Sequence, residues 1–189
     1  MSASPSSSPV IHSVHFYDHD DALIQRLCNI TNSAIEVGNS VLIVATSAHR
    51  EQLVAALEQR LGELSELTVQ GRLNLYDAEE TLEKFMVKGS PDVRRFRNSV
   101  GKLVGASKQA AWNQDRGLTV FGEMVSILWS RGERTAALRL EALWNDLLND
   151  GGFHLHCAYP RSLFTHNGDG SAMRAICESH SHVVGYAAA

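Results

Sequence analysis

The side chains best suited to chemistry crowd into the first predicted strand-to-helix turn. The turn reads His15-Phe-Tyr-Asp-His-Asp-Asp21 and has neither glycine nor lysine. A phosphate-binding loop needs glycines, which let backbone N–H groups approach the phosphate, and a lysine that neutralises its charge. The three carboxylates of this turn would instead repel phosphate. The turn therefore argues against ATP binding in the usual way.

Histidine and aspartate are also ligands for Zn²⁺ or Mn²⁺, so one alternative is a metal site made of His15, Asp18, His19 and Asp20. Such spacings arise often by chance, and alternate strand residues point to opposite faces of a sheet. The simpler interpretation is that these acids stabilise the following helix, because negative charge interacts favourably with the dipole at a helix N-terminus. We therefore expect no metal in this turn.

The segment from Cys177 to His182 places a thiol beside His180 and His182. Two histidines at i and i+2 suit neither one helical face nor a zinc hairpin, so we expect a polar helix end with histidine near its dipole. The three cysteines are odd in number and far apart, which favours reduced, buried thiols. Spacing places no catalytic triad, and no Gly-x-Ser-x-Gly motif occurs.

Strands and helices alternate along the chain. Strands are predicted at 14–17, 40–46, 73–77, 118–124 and 153–159, with helices at 20–37, 47–61, 78–87, 91–111, 134–148 and 172–180. This alternation predicts an α/β fold with a mostly parallel central sheet and helices on both faces. The apolar run 40–46 indicates a strand in the middle of that sheet. Ser47 is expected to cap the helix after it, and Trp144 to lie in the core.

Ligands of an open parallel sheet bind beyond the carboxyl ends of its strands. Those ends carry mostly histidines, acids and phenols, with His49 close behind the second strand. The ligand pocket is predicted to be lined by His15, Tyr17, Thr46, Asp77, Glu123 and Tyr159. Such a lining, with few cations, suits a neutral or weakly polar ligand.

Glu123 ends an apolar strand, where a nucleotide hydrolase of this architecture keeps an acid that holds a metal or activates water. Without a phosphate loop, a role in orienting a ligand is favoured. The structural alternative is a buried glutamate paired with an arginine such as Arg139. Both interpretations remain open from the residues alone.

The 189 residues fit one domain, predicted at 11–185 after a Ser/Pro-rich tail at 1–10 that we expect to be disordered. The charged fraction is 20% and the net charge −4, and no Lys/Arg-dense stretch suggests direct nucleic-acid binding. Neither a membrane-spanning run nor a signal peptide is evident, so we expect a cytoplasmic protein.

Seven segments together resemble the methanogen and methylotroph sensory (MEDS) domain, in order from about residue 12 to 183. They are His12-Ser-Val-His-Phe-Tyr17, Val41-Leu-Ile-Val-Ala-Thr46 with His49-Arg50, Gly71-Arg-Leu-Asn-Leu-Tyr-Asp-Ala78, Phe121-Gly-Glu-Met-Val125, Leu140-Glu-Ala-Leu-Trp-Asn145, Cys157-Ala-Tyr-Pro160 and Ile176-Cys-Glu-Ser-His-Ser181. The resemblance implies a RecA/KaiC-like fold with a degenerate phosphate loop that senses small organic compounds. MEDS domains are often joined to histidine kinases or DNA-binding regulators, and we expect neither within these 189 residues.

The leading hypothesis is a non-catalytic sensory domain that needs no cofactor, binds a small organic ligand and signals to a histidine kinase or transcription regulator in trans. A second hypothesis is a protein-interaction module whose pocket is filled by side chains. A third is a metal-dependent hydrolase that uses Glu123, Asp77 and a histidine.

Overall fold

The computed structural model describes residues 11–113, 117–164 and 169–185; the predicted tail at 1–10 lies outside them. In chain order the elements are β1 (His12–Tyr17), α1 (Asp20–Glu36), β2 (Ser40–Ala45), α2 (Ser47–Leu61), α3 (Ser65–Val69), β3 (Leu73–Asp77), α4 (Ala78–Glu83), β4 (Met86–Val87), β5 (Ser90–Pro91), α5 (Val93–Gln109), β6 (Leu118–Gly122), α6 (Met124–Ser130), α7 (Arg134–Gly151), β7 (His154–Pro160), a 3-10 turn (Arg161–Phe164), α8 (Asp169–Glu178) and β8 (His182–Val184).

Six strands form one parallel sheet in the order β3-β2-β6-β7-β1-β8. The predicted α/β class with a parallel central sheet is confirmed. All six residues of β2 are buried, as its apolar run predicts, because β3 and β6 flank it and helices cover both faces. The middle positions nevertheless belong to β6 and β7, so the prediction that β2 lies in the middle is wrong by one strand.

Several short elements differ from the predicted pattern, among them α3, which was not predicted. The predicted helix at 78–87 ends at Glu83, because Met86–Val87 pairs with Ser90–Pro91 in a small hairpin. Its two turn residues, Lys88 and Gly89, have φ of 50° and 75°, the left-handed values that a tight hairpin turn requires. Helix α6 follows β6 after a single residue, and β8 adds an unpredicted edge strand beside β1.

The two helix starts that were predicted at Ser47 and Pro91 are capped one residue away from those positions. Thr46 is the N-cap of α2, and its hydroxyl accepts a hydrogen bond from the His49 backbone N–H. Asp92 caps α5 and accepts from the Arg95 backbone N–H at 2.8 Å, while Pro91 belongs to β5. Both caps supply the side-chain oxygen that a helix N-terminus needs.

Each face of the sheet has its own hydrophobic core, because neighbouring strand residues point to opposite faces. The larger core packs under α5, α6 and α7 and contains the fully buried Trp144, which confirms that prediction. The smaller core packs under α1 and α2. Tyr17 belongs to the smaller core and Tyr159 to the larger.

Cys28 and Cys157 are buried free thiols, as the sequence predicts, whereas Cys177 is only half-buried. Within the described part of the chain, no helix has both the length and the hydrophobicity that crossing a lipid bilayer requires.

Candidate functional site

The carboxyl ends of β1, β2 and β6 bring three of the predicted ligand-binding residues together. Tyr17 ends β1, and Thr46 and Glu123 directly follow β2 and β6. β2 and β6 are neighbours, but the chain leaves β2 towards β3 and leaves β6 towards β7, in opposite directions. In open parallel sheets generally, ligands bind in a crevice beyond the strand ends at such a reversal. We call Tyr17, Asp20, Thr46, His49 and Glu123 the carboxyl-edge cluster.

The Glu123 side chain is only 2% exposed, and both of its carboxylate oxygens have hydrogen-bond partners. One carboxylate oxygen accepts a hydrogen bond from the Thr46 backbone N–H at 2.8 Å, and the other bonds to Nδ1 of the His49 imidazole. The carboxylate therefore lies at the N-terminus of α2, where the helix dipole favours negative charge. The predicted arginine partner is wrong, because His49 occupies that place and Arg139 is exposed on α7.

His49 connects the buried carboxylate to the surface. Its Nε2 lies 3.4 Å from a carboxylate oxygen of Asp20, the first residue of α1, and its ring meets the Tyr17 ring edge-on at 6.4 Å. The hydrogen bond to Glu123 raises the pKa of His49 against the opposing effect of burial, and Asp20 adds to the increase. Burial, then the charge of Glu123, raises the pKa of Tyr17. The cluster thus combines a proton-holding imidazole with a phenol that stays neutral.

His49 is absent from the predicted pocket lining, although the sequence places it close behind the second strand. The sequence contained one usable signal: a histidine three residues after a strand-end threonine lies in the first turn of the helix that follows. Only the neighbouring strand end shows that Glu123 lies within its reach.

Two other predicted residues lie beside the cluster. His15 is half-buried, with its ring 6.2 Å from that of Tyr17, and burial followed by the charges of Arg26 and Arg161 lowers its pKa to about 4. Asp77 caps α4 by accepting from two backbone N–H groups, and it forms an ion pair with Arg50 at 2.8 Å. Burial opposes ionisation of Asp77, but these hydrogen bonds and the Arg50 charge lower its pKa.

Tyr159 lies apart from the other predicted residues. It is completely buried in the larger core, on the opposite face of the sheet from Tyr17. Its hydroxyl donates a hydrogen bond to Glu141 of α7 at 2.8 Å. Burial, then the charge of Glu141, raises the pKa of Tyr159.

Glu141 belongs to a second group of ionisable residues that the sequence did not predict. This group, the buried polar cluster, consists of His12, Glu141, Cys157 and His180, all of them buried. Burial raises the pKa of Glu141 to about 7, and burial lowers the pKa of both imidazoles. The thiol close to His180 in space is that of Cys157 in β7. Cys177 is the nearer cysteine only along the chain.

The turn after β1 does not gather the metal ligands considered for it. Asp18, His19 and Asp20 are exposed, while His15 points towards the smaller-core face of the sheet. Among the described residues, the one group of three or more metal-ligand side chains is the buried polar cluster.

Comparison with known protein families gives a match over most of the chain. The family model of the MEthanogen/methylotroph, DcmR Sensory domain matches residues 11–181. No curated protein matches the chain. The matched range runs from β1 to the end of α8 and includes both the carboxyl-edge cluster and the buried polar cluster. The chain therefore belongs to the MEDS family of sensory domains.

Proposed function

We propose that this sensory domain binds a small, neutral or weakly polar organic ligand at the carboxyl-edge cluster and signals to a partner protein without catalysis. The observation that carries the proposal is the buried pair of Glu123 and His49 at the point where the sheet changes direction. Polar groups fixed in advance at such a crevice orient a ligand at little entropic cost.

Asp20 is the part of the cluster that a ligand can replace. Its side chain is 59% exposed, and its contact with His49 is long, at 3.4 Å. A ligand hydroxyl or carbonyl would compete for Nε2 of His49, while the apolar part of the ligand would pack against the Tyr17 ring. Because Asp20 opens α1, its release would change the start of that helix and so transmit binding to the surface.

We also propose that the fold descends from the RecA/KaiC-like group and has lost its phosphate loop. The parallel sheet supports this relationship, as does a turn between β1 and α1 that has acids in place of glycines and lysine. The proposed partner is a cytoplasmic histidine kinase or transcription regulator, in keeping with the sensory family.

Thermal-shift screening with small hydroxyl-, carbonyl- and halogen-substituted hydrocarbons tests the site. A ligand at about 100 times its Kd stabilises the folded state by about 2.7 kcal/mol, which raises the Tm of a domain this size by roughly 5–10 °C. We expect Glu123→Gln, which disturbs the partner of His49, and Tyr17→Ala, which removes the ring, to lose most of the shift that the wild type shows.

Tyr159→Phe is the control, because it alters a buried tyrosine on the opposite face of the sheet. It should lower the Tm of the free protein but keep the ligand-induced shift. A ligand that shifts the wild type, Glu123→Gln and Tyr17→Ala equally would place the binding site elsewhere.

A further inference from the structure

Four elements bring the buried polar cluster together in the larger core. His12 begins β1, Cys157 lies in β7, Glu141 lies in α7, and His180 follows the end of α8. Their exposed fractions are 3%, 1%, 1% and 8%, respectively. One nitrogen, sulfur or oxygen atom from each lies within 4.8 Å of the other three.

Four of the six separations between these atoms are close to those of a tetrahedral metal site. Nε2 of His12 and Nε2 of His180 each lie 3.5 Å from the same Glu141 oxygen, Oε2. Sγ of Cys157 lies 3.5 Å from Nε2 of His12 and 3.7 Å from Oε2 of Glu141. Ligand atoms about 2.0–2.3 Å from one tetrahedral ion would lie about 3.3–3.6 Å apart. The remaining two pairs, His180 with His12 and with Cys157, lie within 4.8 Å, so a contraction around the ion would bring the cluster to that geometry.

Both imidazoles are oriented by hydrogen bonds on their far side. Nδ1 of His180 donates to the Ile176 carbonyl at 2.7 Å, and Nδ1 of His12 donates to Oδ1 of Asn145 at 2.8 Å. The Asn145 amide nitrogen in turn points at the Ser179 carbonyl. Since Nδ1 carries the proton in both neutral rings, each Nε2 directs a lone pair into the cluster. Partners of this kind orient metal-binding histidines in proteins.

The centre of the cluster lacks positive charge. Nε2 of His180 is buried and has no hydrogen-bond partner among the described residues. Two nitrogen lone pairs converge on the carboxylate, and the Cys157 thiol is a weak donor. Buried polar atoms without a hydrogen-bond partner cost free energy.

We propose that His12, Glu141, Cys157 and His180 bind one Zn²⁺ ion through two imidazole nitrogens, a carboxylate oxygen and a thiolate. Zn²⁺ binds Cys, His and carboxylate ligands, and four protein ligands make a closed, structural site. The Cys157 thiol loses its proton to solvent on binding, so the two ligand charges balance those of the ion. The ion joins β1 to β7, α7 and the chain after α8, independently of the proposed ligand site.

Metal analysis of protein purified with a histidine-free tag and without chelators tests the proposal. We expect about one zinc per chain in the wild type. Cys157→Ser and His180→Gln should lose it, whereas the matched variants Cys177→Ser and His182→Gln should retain it. Asn145→Ala should weaken zinc affinity by roughly 10- to 100-fold through the orientation of His12.

Cobalt substitution keeps the test informative where a variant folds poorly. Co²⁺ added to chelator-treated wild-type protein should give the ligand-field bands of a tetrahedral site and a thiolate charge-transfer band. Cys177→Ser should keep the charge-transfer band. Wild-type protein that contains no zinc and binds neither Zn²⁺ nor Co²⁺ overturns the proposal, as does a metal that follows Cys177 instead of Cys157.

Discussion

Three histidines of this domain, His15, His49 and His180, lie in three different environments. His49 bonds to a buried carboxylate, which raises its pKa, whereas burial lowers the pKa of His15 to about 4. His180 is buried with an oriented Nδ1 and an unpartnered Nε2. Proton-sharing, neutral and metal-binding roles thus arise from one residue type, because neighbours and burial set which form of the imidazole is stable.

The raised pKa of His49 predicts a pH-dependent contribution to stability. Between the unfolded value of about 6.5 and the higher folded value, the folded state binds more protons than the unfolded state. This contribution is complete below about pH 6.5 and is lost as the pH rises through the folded pKa. The free energy of unfolding of the wild type should exceed that of His49→Asn by an amount that decreases towards alkaline pH. Urea denaturation measures this difference.

His15→Asn provides a control of opposite sign. Because the folded pKa of His15 lies near 4, the wild-type imidazole costs stability as the pH falls from about 6.5 towards 4. The free energy of unfolding of His15→Asn should therefore rise relative to that of the wild type as the pH falls. A His49→Asn difference that is constant from about pH 6 to about pH 9 would contradict the assigned hydrogen bond to Glu123.

Strand ends and helix starts are joined directly in this fold, so a single residue often serves both. Thr46 follows β2 and caps α2, and Asp77 ends β3 and caps α4. Asp77 also holds Arg50, the neighbour of His49, and so links α2 to α4. Residues predicted to line a pocket therefore also stabilise the helices around it.

Two substitutions at Asp77 distinguish the stability that its helix cap contributes from the stability that its ion pair with Arg50 contributes. Asp77→Ala removes both interactions and should destabilise the protein by about 1–2 kcal/mol. Asp77→Asn keeps an oxygen that can accept from the Glu79 and Glu80 backbone N–H groups, so it should cost less than about 1 kcal/mol. Urea denaturation measures both values. Equal losses would mean that the pair with Arg50, rather than the cap, dominates.

The sheet separates the two clusters at the scale of the whole molecule. The carboxyl-edge cluster lies on the side of α1 and α2, and the buried polar cluster lies under α7. Glu123 bonds to Thr46 and His49, while Tyr159 bonds to Glu141, so among the described residues these two side chains share no hydrogen-bond partner. One cluster can therefore change for ligand recognition while the other maintains the core.

This separation predicts additive stability effects. The loss in the double variant Glu123→Gln/Tyr159→Phe should equal the sum of the single losses within about 0.5 kcal/mol. Tyr159→Phe combined with Glu141→Gln is the positive control, because those side chains are in contact and should depart from additivity. A coupling above about 1 kcal/mol between Glu123 and Tyr159 would show that the sheet transmits strain between its faces.

Local patterns in the sequence determined the class of fold and most of its elements. The apolar run of β2, the spacing in α1 and α7, and the glycine-free turn after β1 are readable because each depends on residues close together in the chain. The hairpin of β4 and β5 and the edge strand β8 escaped prediction. Each has only two or three paired residues, too few to show a period.

Only the tertiary structure decided which side chains meet. The sequence placed Tyr17, Glu123 and Tyr159 at strand ends, but the order of strands and the alternation of side chains put Tyr159 on the other face of the sheet. His12 and His180 come from opposite ends of the chain and converge because β1 and the end of α8 pack against α7. Such long-range contacts depend on how the elements pack, which no local pattern records.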